Sequence, residues 1–261
     1  MIPRSDITAW SEFAPWKSNE QVEQDLIISR ALVDLFSDDL LSKNLAFRGG
    51  TALHKLFILP QARYSEDIDL VQLKPLPIGK VLDKVKKRLE YMGKPRIKQH
   101  KRNNTMVFRF ESEIPPVAKL KLKIEINCRE HFVIYGIVKK PFEIKSKWFS
   151  GACEITTYSF EELLGSKIRA LYQRKKGRDL FDLWYGLSRE KFDVDKAIQA
   201  FKAFMEKEKH SVSSKEYENN LNKKINDAYF RGDIEGLVRT DIEFDFREAC
   251  QLVLEKIIRK I

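Results

Sequence analysis

The chain has 261 residues, of which 43% are hydrophobic and 33% charged, a composition typical of a globular protein with a substantial core. Its formal net charge of +10 favours a polyanionic partner. No apolar run is long enough to span a membrane, and the first residues lack a signal-peptide pattern, so we predict a cytoplasmic protein with no membrane partner. The scattered cysteines and histidines predict reduced thiols and no zinc site.

The first part of the chain mixes helix and strand signals. A capping box from Ser18 to Gln21 opens a helix in which apolar residues recur at helical spacing. The stretch "LAFRGG" predicts a short strand that ends in a turn, and "TALHKLF" predicts the start of a helix. The patterns that follow predict a strand over 66–73, a helix over 78–92, a hairpin around Asn103-Asn104 and a half-buried strand over 118–128.

From about residue 156 the patterns are helical. A second capping box, from Ser159 to Glu162, opens the first of these helices. Four further helices are predicted, over 178–187, 193–208, 214–230 and 245–261. We therefore predict an α+β fold in which an N-terminal domain, 1–155, contains a mixed β-sheet with flanking helices, and a C-terminal domain, 156–261, is helical.

Two aspartates occupy one face of the strand predicted at 66–73. Asp67 and Asp69 point one way, while Ile68 points into the core. Carboxylates roughly 6–7 Å apart on a strand suit a hard divalent cation such as Mg²⁺. Glu125 lies on the polar face of a later strand and is a candidate third ligand if the two strands are neighbours. Metal ions held in this way suit phosphoryl or nucleotidyl transfer, whereas an isolated pair of aspartates is more often a solvated strand face.

A glycine turn, Gly49-Gly50-Thr51, joins the preceding strand to a helix. Backbone N–H groups without side chains can approach a phosphate closely, and a helix N-terminus favours its negative charge. An ordinary tight turn is the common alternative for two glycines. Arg63 and Ser65, just before the aspartates, make a phosphate site the stronger interpretation.

One lysine interrupts the apolar stripe of the first C-terminal helix. Lys167 follows Phe160 by seven residues, a position that helical periodicity assigns to the core. Either its stem snorkels to solvent, or the ammonium points into a cleft between the domains with Asp182 as its partner. Asp179 is a candidate helix cap, and Asp182 alternatively forms an ion pair with an arginine. The neighbouring candidates are Arg174 and Arg178.

The segment 80–102 is strongly basic, with ten Lys or Arg and two Asp or Glu, which gives it a net charge of +8. Such a run is either a solvated surface or a track for a polyanion, which would bind nucleic acid in a salt-dependent way. The candidate RNA-binding residues are Lys84, Lys86, Lys87, Lys98 and Lys101.

Three stretches of the sequence resemble the signatures of a known family. The stretches "FRGGTALHKLF" and "RYSEDIDL" resemble the glycine-turn and S-x-D-x-D segments of the AbiEii/AbiGii-type nucleotidyltransferases. These enzymes belong to the DNA polymerase β-like nucleotidyltransferase superfamily and include the MenT toxins. The stretch "KIRALYQRKKGRDLFDL" resembles their second signature, a helical lysine followed by R-D-x-x-D.

The resemblance implies a nucleotidyltransferase-like N-terminal domain and a toxin of a type IV toxin–antitoxin system, with a cognate antitoxin as a possible partner. It implies an NTP substrate, Mg²⁺ or Mn²⁺ as cofactor, and RNA as acceptor, with the 3′ end of tRNA as the favoured target. Asp67 and Asp69 would bind the metal, while Lys167 and Asp182 would complete the catalytic set. The predicted nucleotide-binding residues are Gly49, Gly50, Thr51, Arg63, Ser65 and Arg178.

Two other functional classes stay open at this stage. A nucleotidyltransferase of this superfamily can modify a small molecule or a protein instead of RNA. A nucleic-acid-binding protein with a decayed active site would keep the basic segment without catalysis, although the acids, glycines and Lys167 argue against decay.

Overall fold

The structure is a computed structural model that describes residues 2–100, 102–189 and 192–261. It divides into two compact units, Met1–Tyr158 and Ser159–Ile261, and each has its own buried core. In the part of the chain described, no helix combines the length and the apolar character needed to cross a membrane.

The first unit is built on a mixed sheet, which confirms the predicted α+β class. Within the described residues the sheet has seven strands in the order β3-β4-β5-β2-β1-β7-β6. Strand β2 pairs in parallel with β5, β1 pairs in parallel with β7, and the other neighbours are antiparallel. The strands are β1 Leu45–Arg48, β2 Asp67–Gln72, β3 Arg96–Gln99, β4 Asn103–Glu111, β5 Lys119–Asn127, β6 Ile137–Lys145 and β7 Ser150–Tyr158.

The described residues of the first unit also form five α-helices. They are α1 Arg4–Trp10, α2 Asn19–Phe36, α3 Asp39–Asn44, α4 Gly49–Leu56 and α5 Gly79–Arg88. The predicted cap of α2 is confirmed, because the Ser18 hydroxyl accepts a hydrogen bond from the Gln21 N–H. Helix α2 contacts β5, β6 and β7, and α4 contacts β1 and β2. Ile68 and Ile124, which point toward these helices, are fully buried.

The described residues of the second unit form helices joined by loops, the longest loop running over 233–245. The helices are α6 Phe160–Gln173, α7 Gly177–Arg189, α8 Val194–Lys207, α9 Ser214–Ile225, α10 Ala228–Gly232 and α11 Phe246–Lys256. The Ser159 hydroxyl caps α6 by accepting a hydrogen bond from the Glu162 N–H, as predicted. At the start of α7, Gly177 lies so close to the Phe230 carbonyl oxygen that an added Cβ would overlap it.

The structure corrects several predicted elements. The hairpin between β3 and β4 exists, but Asn103 and Asn104 lie inside β4, where Asn104 pairs with Gln99. The helix predicted over 214–230 is two helices, since α9 ends at Ile225 and Asp227 caps α10. Strands β6 and β7 were not predicted. The burial of β6 alternates, but its residue types do not, because Lys140 shares the less exposed face with Val138 and Phe142.

Candidate active site

Three carboxylates lie on one face of two neighbouring strands in the first unit. In the parallel pairing of β2 with β5, Asp69 lies opposite Glu125 and Asp67 lies opposite Lys123. Opposed residues in adjacent strands point to the same side of a sheet, so all four side chains share one face. The register confirms the predicted proximity of Glu125 to the aspartates, because Glu125 lies directly opposite Asp69.

A lysine that the sequence analysis did not single out lies among these acids. Lys123 Nζ is 2.9 Å from Asp67 Oδ2 and 3.4 Å from Glu125 Oε1. Burial alone would lower the pKa of Lys123, but the hydrogen bonds and charges of Asp67 and Glu125 outweigh it and raise the pKa above its ordinary value. The site therefore already holds one positive charge between two of its carboxylates. The polar and apolar alternation of β5 places Lys123 on the polar face. Its contact with Asp67 on β2 depends on how the two strands pair, which the sequence pattern does not show.

The aspartates fit a divalent metal ion that takes its remaining ligands from elsewhere. Among the residues described, no three Asp, Glu, His or Cys side chains converge into a complete metal site. Mg²⁺ is commonly held by one or two carboxylates plus water and substrate phosphates. Asp67 and Asp69 are half-exposed and supply such oxygen ligands, while Glu125 is engaged with Lys123. The ammonium between Asp67 and Glu125 shows that these carboxylates face a position suited to a cation.

The glycine turn packs directly against the acids. Gly49 has φ +80°, a backbone conformation that residues with side chains rarely adopt. An added Cβ there would overlap Asp69 Oδ2. An added Cβ at Gly50 would overlap Arg63 Nη2. Both glycines are therefore required for close approach, one to a candidate metal ligand and the other to a buried guanidinium.

The candidate phosphate-binding residues are tied to one another. The Thr51 and Ser65 hydroxyls are 2.8 Å apart, and Thr51 also hydrogen-bonds the Asp67 carbonyl oxygen. Arg63 is 1% exposed and donates to the Tyr64 carbonyl oxygen at 2.9 Å. These contacts join the N-terminus of α4 to the start of β2. They therefore fix the position of the glycine turn relative to the aspartates.

A buried polar network holds α4 in place. Lys55 Nζ, on α4, lies 3.0 Å from Asp25 Oδ2 and donates to the Ser29 hydroxyl at 3.0 Å on α2. Trp10 Nε1 donates to Asp25 Oδ1 at 3.0 Å. A buried charge is tolerable only when it is paired and hydrogen-bonded, and Asp25 meets that condition. The network fixes the helix whose first residues form the glycine turn.

A second ionic cluster lies inside the helical unit. Lys167 Nζ is 2.7 Å from Asp182 Oδ2 and 3.0 Å from Asp179 Oδ1. Arg174 holds the same Asp179 carboxylate through two N–H groups, at 2.7 and 2.8 Å. Burial would raise the pKa of Asp179, but the charges of Lys167 and Arg174 hold it below its ordinary value.

The cluster excludes one of the two alternatives for Lys167. Its side chain is 5% exposed, so it does not snorkel to solvent. The predicted partnership with Asp182 is confirmed, and Arg174 contacts Asp179. The predicted nucleotide-binding residue Arg178 is half-exposed, with Nε 3.8 Å from Asp233 Oδ2.

The candidate RNA-binding lysines do not form one uniform group. On α5, Lys84 Nζ is 3.4 Å from Asp38, Lys86 Nζ is 2.7 Å from Asp83, and Lys87 is exposed. Lys98 is exposed on β3. Lys101 lies outside the described residues.

Comparisons with known proteins identify a family and agree with the fold. A family model described as "Nucleotidyl transferase AbiEii toxin, Type IV TA system" matches residues 30–252. The fold is similar to MenT4, a nucleotidyltransferase toxin from Mycobacterium tuberculosis H37Rv, with TM-score 0.64 and 14% identity over 98% of this chain and 88% of that one. It is also similar to a candidate nucleotidyltransferase from H. pylori, with TM-score 0.54 and 19% identity over 93% and 96% of the two chains. A comparison with curated protein sequences found no match.

Proposed function

The chain belongs to the AbiEii family of nucleotidyltransferase toxins of type IV toxin–antitoxin systems, and from this premise we propose a reaction for it. It transfers a nucleoside monophosphate from an NTP to the 3′ hydroxyl of an RNA, with tRNA as the favoured acceptor. The reaction depends on Mg²⁺ or Mn²⁺ and takes place in the cytoplasm, where a cognate antitoxin restrains it. The observation that carries this proposal is the contact between the glycine turn and Asp69, beside Asp67 on the same strand face.

The candidate site residues of the first unit have the following roles in this reaction. Asp67 and Asp69 hold the divalent ion, which supplies positive charge to the phosphates as negative charge develops on them. The N–H groups of Gly50 and Thr51 and the Ser65 hydroxyl orient the triphosphate. Arg63 lies beneath Gly50 and adds a fixed positive charge. The acceptor hydroxyl loses its proton and forms a bond to the α-phosphorus, the bond from that phosphorus to the bridging oxygen breaks, and pyrophosphate leaves.

The family resemblance assigns Lys167, Asp182 and Arg178 of the second unit to the same reaction, with Lys167 as a cation for the phosphates and Asp182 as its partner. The 2.7 Å contact between Lys167 Nζ and Asp182 Oδ2 supports that pairing. Arg178 is half-exposed at the start of α7 and offers a further cation to the nucleotide.

The test uses NTPs that carry a radioactive label on the α-phosphorus and follows the transfer of that label to an acceptor. Purified protein is incubated with Mg²⁺, each of the four NTPs in turn, and total tRNA. The expected result is label at the RNA 3′ end, abolished by a chelator and restored by Mn²⁺ or Mg²⁺. Label on a protein or a small molecule instead would replace the RNA acceptor by one of those classes. Absence of label with every acceptor class would contradict the proposed reaction.

A further inference from the structure

The acid-bearing face of the sheet continues into a basic surface. Lys98 on β3 lies opposite Thr105 on β4, which lies opposite Glu125 on β5, which lies opposite Asp69. A second row aligns Arg96 with Val107, Lys123 and Asp67 in the same way. Arg109 and Lys121 form the next pair between β4 and β5. We call the four outer cations, Arg96, Lys98, Arg109 and Lys121, the open-face patch.

The open-face patch is accessible and close to the acids. Its four side chains are exposed, while the opposite face of the same strands, including Phe108 and Leu122, is fully buried. Strand β3 is three strands from β2, which corresponds to about 15 Å at ~4.8 Å per strand. A flexible chain whose end group lies at Asp69 can therefore reach the patch with its next few units.

The composition of this face favours a nucleic acid over a protein partner. Protein interfaces have an apolar core enriched in aromatic residues and depleted in lysine, whereas nucleic-acid interfaces are polar and strongly positive. On this face of β3, β4 and β5 the apolar side chain is Val107, and no residue is aromatic. Glu111 lies at the far end, opposite Lys119, and for this reason we leave Lys119 out of the patch.

We propose that the open-face patch binds the phosphate backbone of the RNA acceptor and directs its 3′ end to Asp67 and Asp69. This inference rests on the proposed function; it keeps Lys98 of the basic segment 80–102 and adds Arg109 and Lys121, which lie outside that segment. Lys84 and Lys86 on α5 already have carboxylate partners, which reduces the charge they offer to RNA. The patch residues share the face of the candidate metal ligands, so binding there places the RNA next to the chemistry.

The experiment compares two charge-reversed proteins. Arg109→Glu with Lys121→Glu alters the patch. Lys145→Glu with Lys147→Glu is the matched control, because it makes the same change in net charge at two exposed positions at the other edge of the sheet, the last residue of β6 and the turn after it. Binding is measured by fluorescence anisotropy of a labelled RNA hairpin with a single-stranded 3′ tail, over a series of salt concentrations. Binding of a fluorescent NTP analogue is measured in parallel.

The patch variant should bind the RNA at least ~10-fold more weakly at low salt. Its slope of log affinity against log salt should fall by about 1.4, or ~0.7 for each lost contact to a single strand. The control should change affinity by less than about twofold, and NTP binding should be unchanged in both.

Three results would overturn the inference. Equal RNA affinity for patch variant and wild type would place the acceptor elsewhere while leaving nucleotidyl transfer intact. Equal weakening by the control would reduce the effect to net charge. Retained RNA binding with loss of an acidic protein partner would reassign the patch to that partner. Failure of the proposed function would show itself separately, as absence of labelled product with wild-type protein whatever its RNA affinity.

Discussion

Lys123 places a positive charge where the carboxylates of the candidate metal site converge. Its ammonium contacts Asp67 and Glu125 and reduces the negative charge available to a divalent ion. We predict that Lys123→Met binds Mn²⁺ about 10-fold more tightly, equivalent to ~1.4 kcal/mol. Isothermal titration calorimetry measures this without any substrate. Lys121→Met, on the same strand face but outside the acid cluster, should leave the affinity unchanged, and tighter binding in wild type than in Lys123→Met would show that the lysine assists the metal.

The aspartates are expected to matter for chemistry and not for folding. Asp67 and Asp69 are half-exposed, so replacing either by Asn removes a charge without leaving a buried group unpaired. We predict that Asp67→Asn and Asp69→Asn each lower nucleotidyl transfer on the order of 10³-fold, with the unfolding midpoint nearly unchanged. Glu66→Gln, an exposed acid next to the pair, is the matched control and should keep wild-type turnover. Near-normal turnover by either Asn variant would exclude this site.

At the scale of elements, the turn between β1 and α4 should tolerate no side chain at Gly49. Its positive φ would cost an alanine about 1–2 kcal/mol, and the added Cβ would displace Asp69 Oδ2. We therefore predict that Gly49→Ala is destabilised by at least that amount and loses nucleotidyl transfer. Gly79→Ala, where an added Cβ meets no atom within 4 Å, should do neither. Thermal unfolding and the transfer assay together measure both effects, and a fully active Gly49→Ala would show that the Asp69 position is not critical.

The α6–α7 pair should depend on Lys167 for stability. Lys167→Met leaves Asp182 buried without its ammonium, and removing one partner of a buried ion pair costs about 3–5 kcal/mol. In Lys167→Met with Asp182→Leu, no carboxylate remains at 182, and Arg174 still holds Asp179. We predict that this double variant is less destabilised than the sum of the two single variants, with a coupling above ~1 kcal/mol in urea unfolding. Additive losses would mean that the two side chains do not stabilise each other.

Local patterns predicted elements well and contacts between elements poorly. The caps at Ser18 and Ser159 and the alternation of β5 each depend on a few neighbouring residues, and each is confirmed. The buried Asp25–Lys55 pair joins residues thirty positions apart on two helices, so no local period indicates it. The same holds for Lys123, whose partner Asp67 comes from another strand. Strand β6 was not predicted because Lys140 occupies its less exposed face, so the sequence does not alternate although the burial does.

At the scale of the whole molecule, the fold shows on which surface part of the excess positive charge lies. The net charge of +10 predicts a polyanionic partner but not its location. The sheet register places Arg96, Lys98, Arg109 and Lys121 on the face that carries the acids, whereas Lys84 and Lys86 are paired on α5. Strand pairing, which sequence periodicity cannot supply, therefore decides which cations can act together with the active site.

The stability of the whole chain should also depend on pH through one buried acid. Glu23 on α2 is 1% exposed and accepts hydrogen bonds from the Glu113 N–H, at 3.0 Å for the shorter one. Burial raises the pKa of Glu23 from 4.5 to about 7. Below about pH 4.5 the folded and unfolded chains both carry the proton, and the contribution to stability is complete. As the pH rises from there through about 7, the unfolded chain loses the proton first, so the contribution is lost.

Glu23→Gln keeps an acceptor oxygen for Glu113 but has no proton to lose. We predict that its free energy of unfolding, relative to wild type, rises by on the order of 2 kcal/mol between pH 4.5 and pH 8. Urea unfolding followed by tryptophan fluorescence measures the difference at each pH. Glu20→Gln is a control of opposite sign, because the hydrogen bond with Ser18 lowers the pKa of Glu20, so that its carboxylate stabilises the fold above about pH 4.5 and ceases to do so as the pH falls. A difference between wild type and Glu23→Gln that does not change with pH would show that Glu23 is ionised in the folded chain and that the Glu113 N–H offsets the cost of its burial.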